Sequence, residues 1–102
     1  MANTFKNYVS TDVGTSAVTT YTVPSSTTSV MIGCNIANTT SSQIKVTVQA
    51  AGAHVVKTVP IPASSAISVL DGKIILETTD TVVVTSDTAT SADVIVSVLE
   101  QT

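Results

Sequence analysis

Residues 44–59 read IKVTVQAAGAHVVKTV, and this stretch decides the fold class. Ile44, Val46 and Val48 alternate with polar residues, a period of two that places one face of a β-strand in a core and the other in water. A turn of small residues around Gly52 follows, and a second run rich in valine comes after it. The stretch therefore predicts a β-hairpin.

The same alternation recurs on both sides of this hairpin. Val30, Ile32, Cys34 and Ile36 are predicted to share the core face of the preceding strand. Gly33 lies inside that strand, where glycine is typical of a β-bulge or of a close approach by another backbone. The other predicted strands cover residues 5–9, 17–23, 66–70, 73–77, 81–85 and 94–98.

Two local signals are expected to set the connections between strands. Asp71-Gly72 predicts a two-residue type I′ hairpin, because glycine adopts positive φ freely and aspartate adopts it more readily than most residues. Pro60 and Pro62 lack the N–H that a central strand must donate, so residues 60–65 are predicted to be a connection between strands.

The composition favours strands along the whole chain. Of the 102 residues, 43% are hydrophobic and 11% are charged, and threonine, serine and valine are abundant. The length suits one hydrophobic core. We predict an all-β domain, an antiparallel β-sandwich of seven to nine short strands that is jelly-roll-like or immunoglobulin-like. Residues 1–15 are predicted to be an N-terminal arm or edge strand hinged at Gly14, and residues 16–102 a single β-sandwich domain.

The charge pattern excludes several classes of function. The net charge is −3, the four cations are isolated lysines, and arginine is absent, which disfavours a nucleic-acid partner. No apolar run approaches the roughly 18 residues that a membrane span needs. The opening residues lack the pattern of a secretory signal, so synthesis in a cytoplasm is expected. So few charges suit a chain that is covered by neighbours better than a dispersed monomer.

The residues that could carry chemistry are few. His54 is the sole histidine and no serine lies in a Gly-x-Ser-x-Gly setting, so His54 is predicted to be a surface strand residue. Cys34 is in phase with core positions and is expected to act as a small apolar side chain. We therefore predict no enzyme and no catalytic, cofactor or metal residue, which leaves open only a weakly bound surface ion. The aspartates expected to support turns are Asp71, Asp80, Asp87 and Asp93.

Four segments carry a resemblance to a known group of proteins. They are residues 1–8 (MANTFKNY), 21–24 (YTVP), 30–38 (VMIGCNIAN) and 93–100 (DVIVSVLE). Together they resemble small virion structural proteins of tailed bacteriophages, and those that infect marine bacteria and cyanobacteria come closest. The resemblance implies a non-enzymatic protein of the mature particle. Within such particles a small β-sandwich most often decorates or cements the capsid shell.

The resemblance also implies partners and a location. We expect the virion as the location, synthesis in the host bacterial cytoplasm, and contact with the major capsid protein or other virion proteins. A homo-oligomer is expected, with a trimer favoured, and neither nucleic acid nor membrane is expected as a partner. The N-terminal arm is expected to order on a neighbouring subunit.

Two other positions remain open. One is a small component of the tail, neck, baseplate or fibre. The other is a receptor- or glycan-binding module, which should be a stable monomer with exposed aromatic side chains. Aromatic residues are few in this chain and cluster near its start: Phe5, Tyr8 and Tyr21.

Overall fold

The computed structural model describes residues 2–102, which form nine β-strands in two antiparallel sheets. No helix occurs in this described part of the chain, so none there is long and apolar enough to cross a bilayer. The prediction of an all-β antiparallel sandwich is confirmed. The strands are β1 (Asn3–Val13), β2 (Val18–Thr22), β3 (Thr28–Asn38), β4 (Ile44–Ala50), β5 (Ala53–Ile61), β6 (Ala66–Ser68), β7 (Ile74–Leu76), β8 (Thr81–Ser86) and β9 (Ala92–Gln101).

The strands pair in a nested order. β1 pairs with β9, β2 with β8, β3 with both β6 and β7, and β4 with β5. The chain is thus a long double strand whose tip is the turn between β4 and β5. Two further pairings, β3 with β9 and β4 with β8, roll it into two facing sheets. This is a jelly-roll arrangement, which decides between the two sandwich types that the sequence leaves open.

The core lies between the two sheets and consists mainly of valine and isoleucine. Ile44, Val46 and Val48 point into it, as the alternation predicts. On β9 the alternation is equally regular, and its inward valines are fully buried. Each such side chain contributes about 1.5–3 kcal/mol relative to exposure in water. Short, stiff, β-branched side chains therefore supply most of the stability of the sandwich.

A β-bulge in β3 changes which residues face the core. The register of β3 against β9 shifts between Met31 and Gly33, which confirms the bulge expected at Gly33. Because the extra residue, Ile32, shifts the alternation by one, Met31 becomes fully buried and Ile32 points outward. The prediction that Val30 and Ile32 share the core face with Cys34 and Ile36 is therefore wrong for the first two residues.

β6 and β7 form one interrupted strand rather than a hairpin. β6 pairs with residues 35–37 of β3, and β7 pairs with residues 29–31. Both run antiparallel to β3 on the same side, because the edge of the longer β3 offers ladder hydrogen bonds to both. The hairpin predicted at Asp71-Gly72 is wrong: Gly72 has a φ of 143°, but Asp71 lacks the positive φ that a type I′ turn requires.

The hairpin between β4 and β5 forms as predicted. Ala51 and Gly52 have φ values of 52° and 81°, which fit a two-residue turn with positive φ at both central positions. β5 then continues through Pro60 to Ile61, so the connection predicted from residue 60 begins too early. An edge strand has one side without a partner, where the missing proline N–H costs no ladder hydrogen bond.

The N-terminal residues form the longest edge strand of the first sheet. β1 pairs with β9 of the same chain from Asn3 to Val13, and Val13 lies in the core. Gly14 follows, and a Cβ there would lie 3.2 Å from the backbone nitrogen of Thr90. This close approach of two backbones explains why the chain has glycine where it leaves β1.

Candidate functional site

The outer side of the first sheet carries a contiguous set of apolar side chains. We call this set the apolar face. It extends over four neighbouring strands, β1, β9, β3 and β7, and none of its members contributes to the core between the sheets. Its members are Phe5, Val9, Val30, Ile32, Ile75, Ile95 and Leu99.

The centre of the apolar face is a row of side chains at directly paired positions. Phe5 lies opposite Leu99, Leu99 opposite Val30, and Val30 opposite Ile75. Neighbouring strands are about 4.8 Å apart, so these side chains stand next to one another across the sheet. Phe5 is 74% exposed and Ile75 is 63% exposed. Exposure of this kind makes the row a candidate contact surface.

A hollow interrupts the apolar face beside this row. It has a volume of about 300 Å³ and is lined by Phe5, Lys6, Asn7, Ile32, Ser97 and Val98. Gly33 is paired with Ser97, and a Cβ at Gly33 would lie 3.6 Å from Cβ of Ser97, beside the hollow. The Ser97 hydroxyl donates a 2.7 Å hydrogen bond to Oδ1 of Asn7, which gives the floor of the hollow a fixed polar pair.

The outer side of the second sheet is polar by comparison. β4 presents Lys45, Thr47 and Gln49 there, and Thr85 of β8 lies opposite Thr47. Nε2 of Gln49 is 3.3 Å from Nε2 of His54. The two outer surfaces of one sandwich therefore differ in chemistry, and the apolar one is the candidate functional surface.

A buried polar cluster joins the first strand to the last. Glu100 is only 5% exposed, and its Oε2 accepts hydrogen bonds from Tyr8 at 2.9 Å and Tyr21 at 2.7 Å. The Tyr21 hydroxyl is also 2.5 Å from that of Ser29, and Lys6 lies 3.6 Å from the other carboxylate oxygen. Buried charges are retained when they are paired and hydrogen-bonded in this way.

The cluster shifts the titration of its members in opposite directions. Burial alone would raise the pKa of Glu100, but the hydrogen bonds from Tyr21 and Tyr8 and the charge of Lys6 hold it below its ordinary value. Burial raises the pKa of Tyr21 and of Tyr8, and the hydrogen bonds to Glu100 add to the effect. Glu100 therefore stays ionised and the tyrosines stay protonated, a state suited to holding strands together rather than to proton transfer.

Cys34 and His54, the two residues that enzyme chemistry would need, lie in different parts of the sandwich. Cys34 is buried in the core, and burial raises its pKa to about 11, which disfavours the thiolate. His54 lies on the exposed edge strand β5, and its hydrogen bond goes to the amide of Gln49. The predicted core position of Cys34 and surface position of His54 are both confirmed.

Two of the four aspartates that were predicted to support turns, Asp80 and Asp87, hold turns in place, whereas Asp93 lies within β9. Asp87 accepts a hydrogen bond from the backbone N–H of Lys45 and another from the Thr88 hydroxyl, which keep its pKa below the ordinary value. Asp80 likewise accepts from the backbone N–H of Glu77. Among residues 2–102 no group of three or more metal-ligating side chains comes together.

Asn38 locks two loops together at the end of β3. Its buried amide donates to the carbonyls of Ser42, Ile61 and Pro62 at 2.8–3.1 Å. Its Oδ1 accepts from the backbone N–H and hydroxyl of Thr40. The side-chain amide is fully occupied by these structural hydrogen bonds.

The apolar face could not be read from the sequence. Its members belong to strands that are distant in the chain. In addition, the bulge turns Ile32 outward, although the spacing of Ile32 in the sequence predicts a core position. One signal was available in the sequence. On β9, apolar residues also occupy positions 95 and 99, on the side opposite the buried valines, where a half-buried strand usually has polar residues. No family model matches this chain, and neither does any curated protein or solved structure.

Proposed function

We propose that this chain is a non-enzymatic structural subunit of a tailed-phage particle, a capsid decoration or cement protein that stabilises subunit junctions of the shell. The observation that carries the proposal is the apolar face. Exposed apolar surface of this extent is unfavourable in water, and covering it stabilises an assembly at about 25 cal/mol per Å² of apolar surface buried.

The low charge of the chain supports the same proposal. From Asn3 to Val9 on β1, and at the residues paired with them on β9 and β3, every outward side chain is uncharged. Such a surface has no charged groups to desolvate when another protein covers it. Repetition over many copies in a particle then turns modest individual contacts into a large net stabilisation.

The environments of the residues that could carry chemistry support a structural role. In the described part of the chain, the buried carboxylate, the thiol and the histidine each have a partner or an environment that stabilises the fold. Jelly-roll sandwiches occur in viral capsid proteins and also in lectins, so the fold alone does not choose between them. The choice between a capsid protein and a lectin therefore rests on the apolar face.

A glycan-binding module has less support. Sugar-binding surfaces use exposed aromatic rings, and here Tyr8 and Tyr21 pack against each other with their ring centroids 4.4 Å apart. Phe5 is the aromatic residue that is largely exposed, and its neighbours on the apolar face are aliphatic. A single ring among aliphatic side chains suits a protein partner better than a sugar.

The copy number of the chain in purified particles tests the proposal. A decoration protein on the capsid is expected in hundreds of copies, whereas a component of the tail, neck, baseplate or fibre is expected in about a dozen or fewer. Quantitative mass spectrometry against the major capsid protein measures this ratio. Absence of the chain from purified particles would refute a virion role.

A further inference from the structure

We propose that a second copy of this chain covers the apolar face, and that the two copies pack face to face about a two-fold axis. This inference rests on the proposed structural function and names the first partner of its surface. It also assigns roles to particular residues: Phe5 is a protruding knob, and the hollow lined by Asn7, Ile32 and Ser97 is the site that receives it.

The apolar face is self-complementary. Phe5, its most exposed member, stands at the margin of the hollow that Asn7, Ile32 and Ser97 also line. A two-fold axis that lies in the interface midway between a knob and an adjacent hollow brings each knob to the hollow of the other copy. One pair of complementary features is thereby used twice, and the hollow of about 300 Å³ has room for a phenyl ring.

The outer side of the first sheet has nearly the area that a stable pair requires. The outer side of the first sheet, which includes the apolar face, extends over about 36 Å along the eleven residues of β1 and about 19 Å across four strands, which gives about 700 Å² per copy. A standard interface buries about 800 Å² per partner. The 45 × 21 × 20 Å dimensions of the molecule place this face along its long side, so two copies can pack over most of their length.

Charge favours a copy of the chain over a charged partner. The outward positions from Asn3 to Val9 and their paired residues are uncharged, and Lys6, the charged residue that lines the hollow, is paired with Glu100 at 3.6 Å, so the surface offers little to select or steer an acidic or basic protein. Two such faces bring no like charges together. Aliphatic side chains from two sheets also interdigitate readily at the spacing of about 10 Å found between packed sheets.

The test is the oligomeric state of the isolated full-length chain, measured by sedimentation velocity over a range of concentrations. We expect an even number of copies: a dimer, or a hexamer if the trimer implied by the resemblance also forms. Phe5→Asp and Ile75→Asp each place a charge in the interface and are expected to weaken the pairing at least tenfold, since central interface residues carry most of the binding energy. Both positions are exposed, so the fold of the single chain should persist.

Filling the hollow is an independent test of the geometry. A Cβ at Gly33 would lie 3.6 Å from Cβ of Ser97, an ordinary contact, so Gly33→Ala should fold normally. Gly33→Val should then weaken the pairing more than Gly33→Ala does. The matched control is Thr85→Asp on the polar outer surface of the second sheet, which should leave the pairing unchanged.

Failure of this inference is distinguishable from failure of the proposed function. A monomer, a trimer, or a dimer that the three face variants leave intact would overturn the second-copy proposal, even if the chain is found in purified particles. A dimer that these variants dissociate supports it. Dimerisation of a chain that is absent from particles would overturn the proposed function alone.

Discussion

Glu100 shows at the scale of one residue how the sandwich holds a charge inside. Its carboxylate accepts hydrogen bonds from two tyrosines and faces Lys6, so the ionised form is the stabilised one. These partners lie on β1 and β2, at sequence separations of 79 to 94 residues. A sequence pattern shows neighbours along a strand and cannot show such distant ones, which is why the cluster was not predicted.

The pKa of Glu100 makes stability depend on pH in a definite direction. The folded pKa lies below the unfolded value, so the contribution is fully present above an unfolded pKa of about 4.3 and is lost as pH falls through the folded pKa. Glu100→Gln should therefore cost about 1–3 kcal/mol at pH 7 and less at acid pH. Urea unfolding at several pH values measures this. Glu77→Gln, at an exposed site, is the control, and a cost that is the same at all pH values would contradict the account.

Asn38 is a second residue that stabilises the fold through its hydrogen bonds. Removing its amide takes a buried donor away from the carbonyl of Ile61, at a cost of about 1–3 kcal/mol if that group stays unsatisfied, whereas the carbonyl of Pro62 keeps the backbone N–H of Ser65. Asn38→Ala is therefore expected to lower the free energy of unfolding by about 1–3 kcal/mol. Asn38→Asp keeps the shape but loses the donors, and should cost no less. Unchanged stability of both variants in urea unfolding would show that the two loops keep their conformation without the hydrogen bonds of Asn38.

At the scale of elements, alternation predicted the core strands and a bulge set the limit of that prediction. Ile44, Val46 and Val48 face the core because β4 is regular. In β3 a single added residue exchanges the core-facing and outward-facing positions before Gly33. The alternation of apolar and polar residues does not show where such a residue lies. The pairing of β6 and β7 with β3, rather than with each other, likewise depends on a partner strand that the local turn signal does not include.

β7 offers the sharpest test of alternation, because neighbouring residues face opposite ways. Leu76 is fully buried, and Leu76→Ala should cost about 2–5 kcal/mol of unfolding free energy. Ile75 points outward, and Ile75→Ala should change the stability of the single chain by no more than about 0.5 kcal/mol. Thermal and urea unfolding at concentrations low enough to keep the chain monomeric compares the two. Equal costs would contradict the assignment of faces.

In the complete sandwich, the two outer surfaces differ in chemistry. The apolar face gains stability when it is covered, and the polar outer surface of the second sheet stays compatible with water or with a more polar partner. Composition alone predicted that the chain is covered by neighbours. The location of that surface needed the register of four strands that come from both ends and the middle of the chain.

Hydroxyl-radical footprinting of the chain within purified particles tests whether the apolar face is covered in the assembly. It compares the oxidation of Phe5 and Ile75 in the particle with their oxidation in the isolated chain at low concentration. We expect both side chains to be protected in the particle, while residues on the outer surface of the second sheet serve as internal references. A chain that is present in particles with Phe5 and Ile75 as reactive as in the isolated monomer would contradict the account, and so would a chain that particles lack.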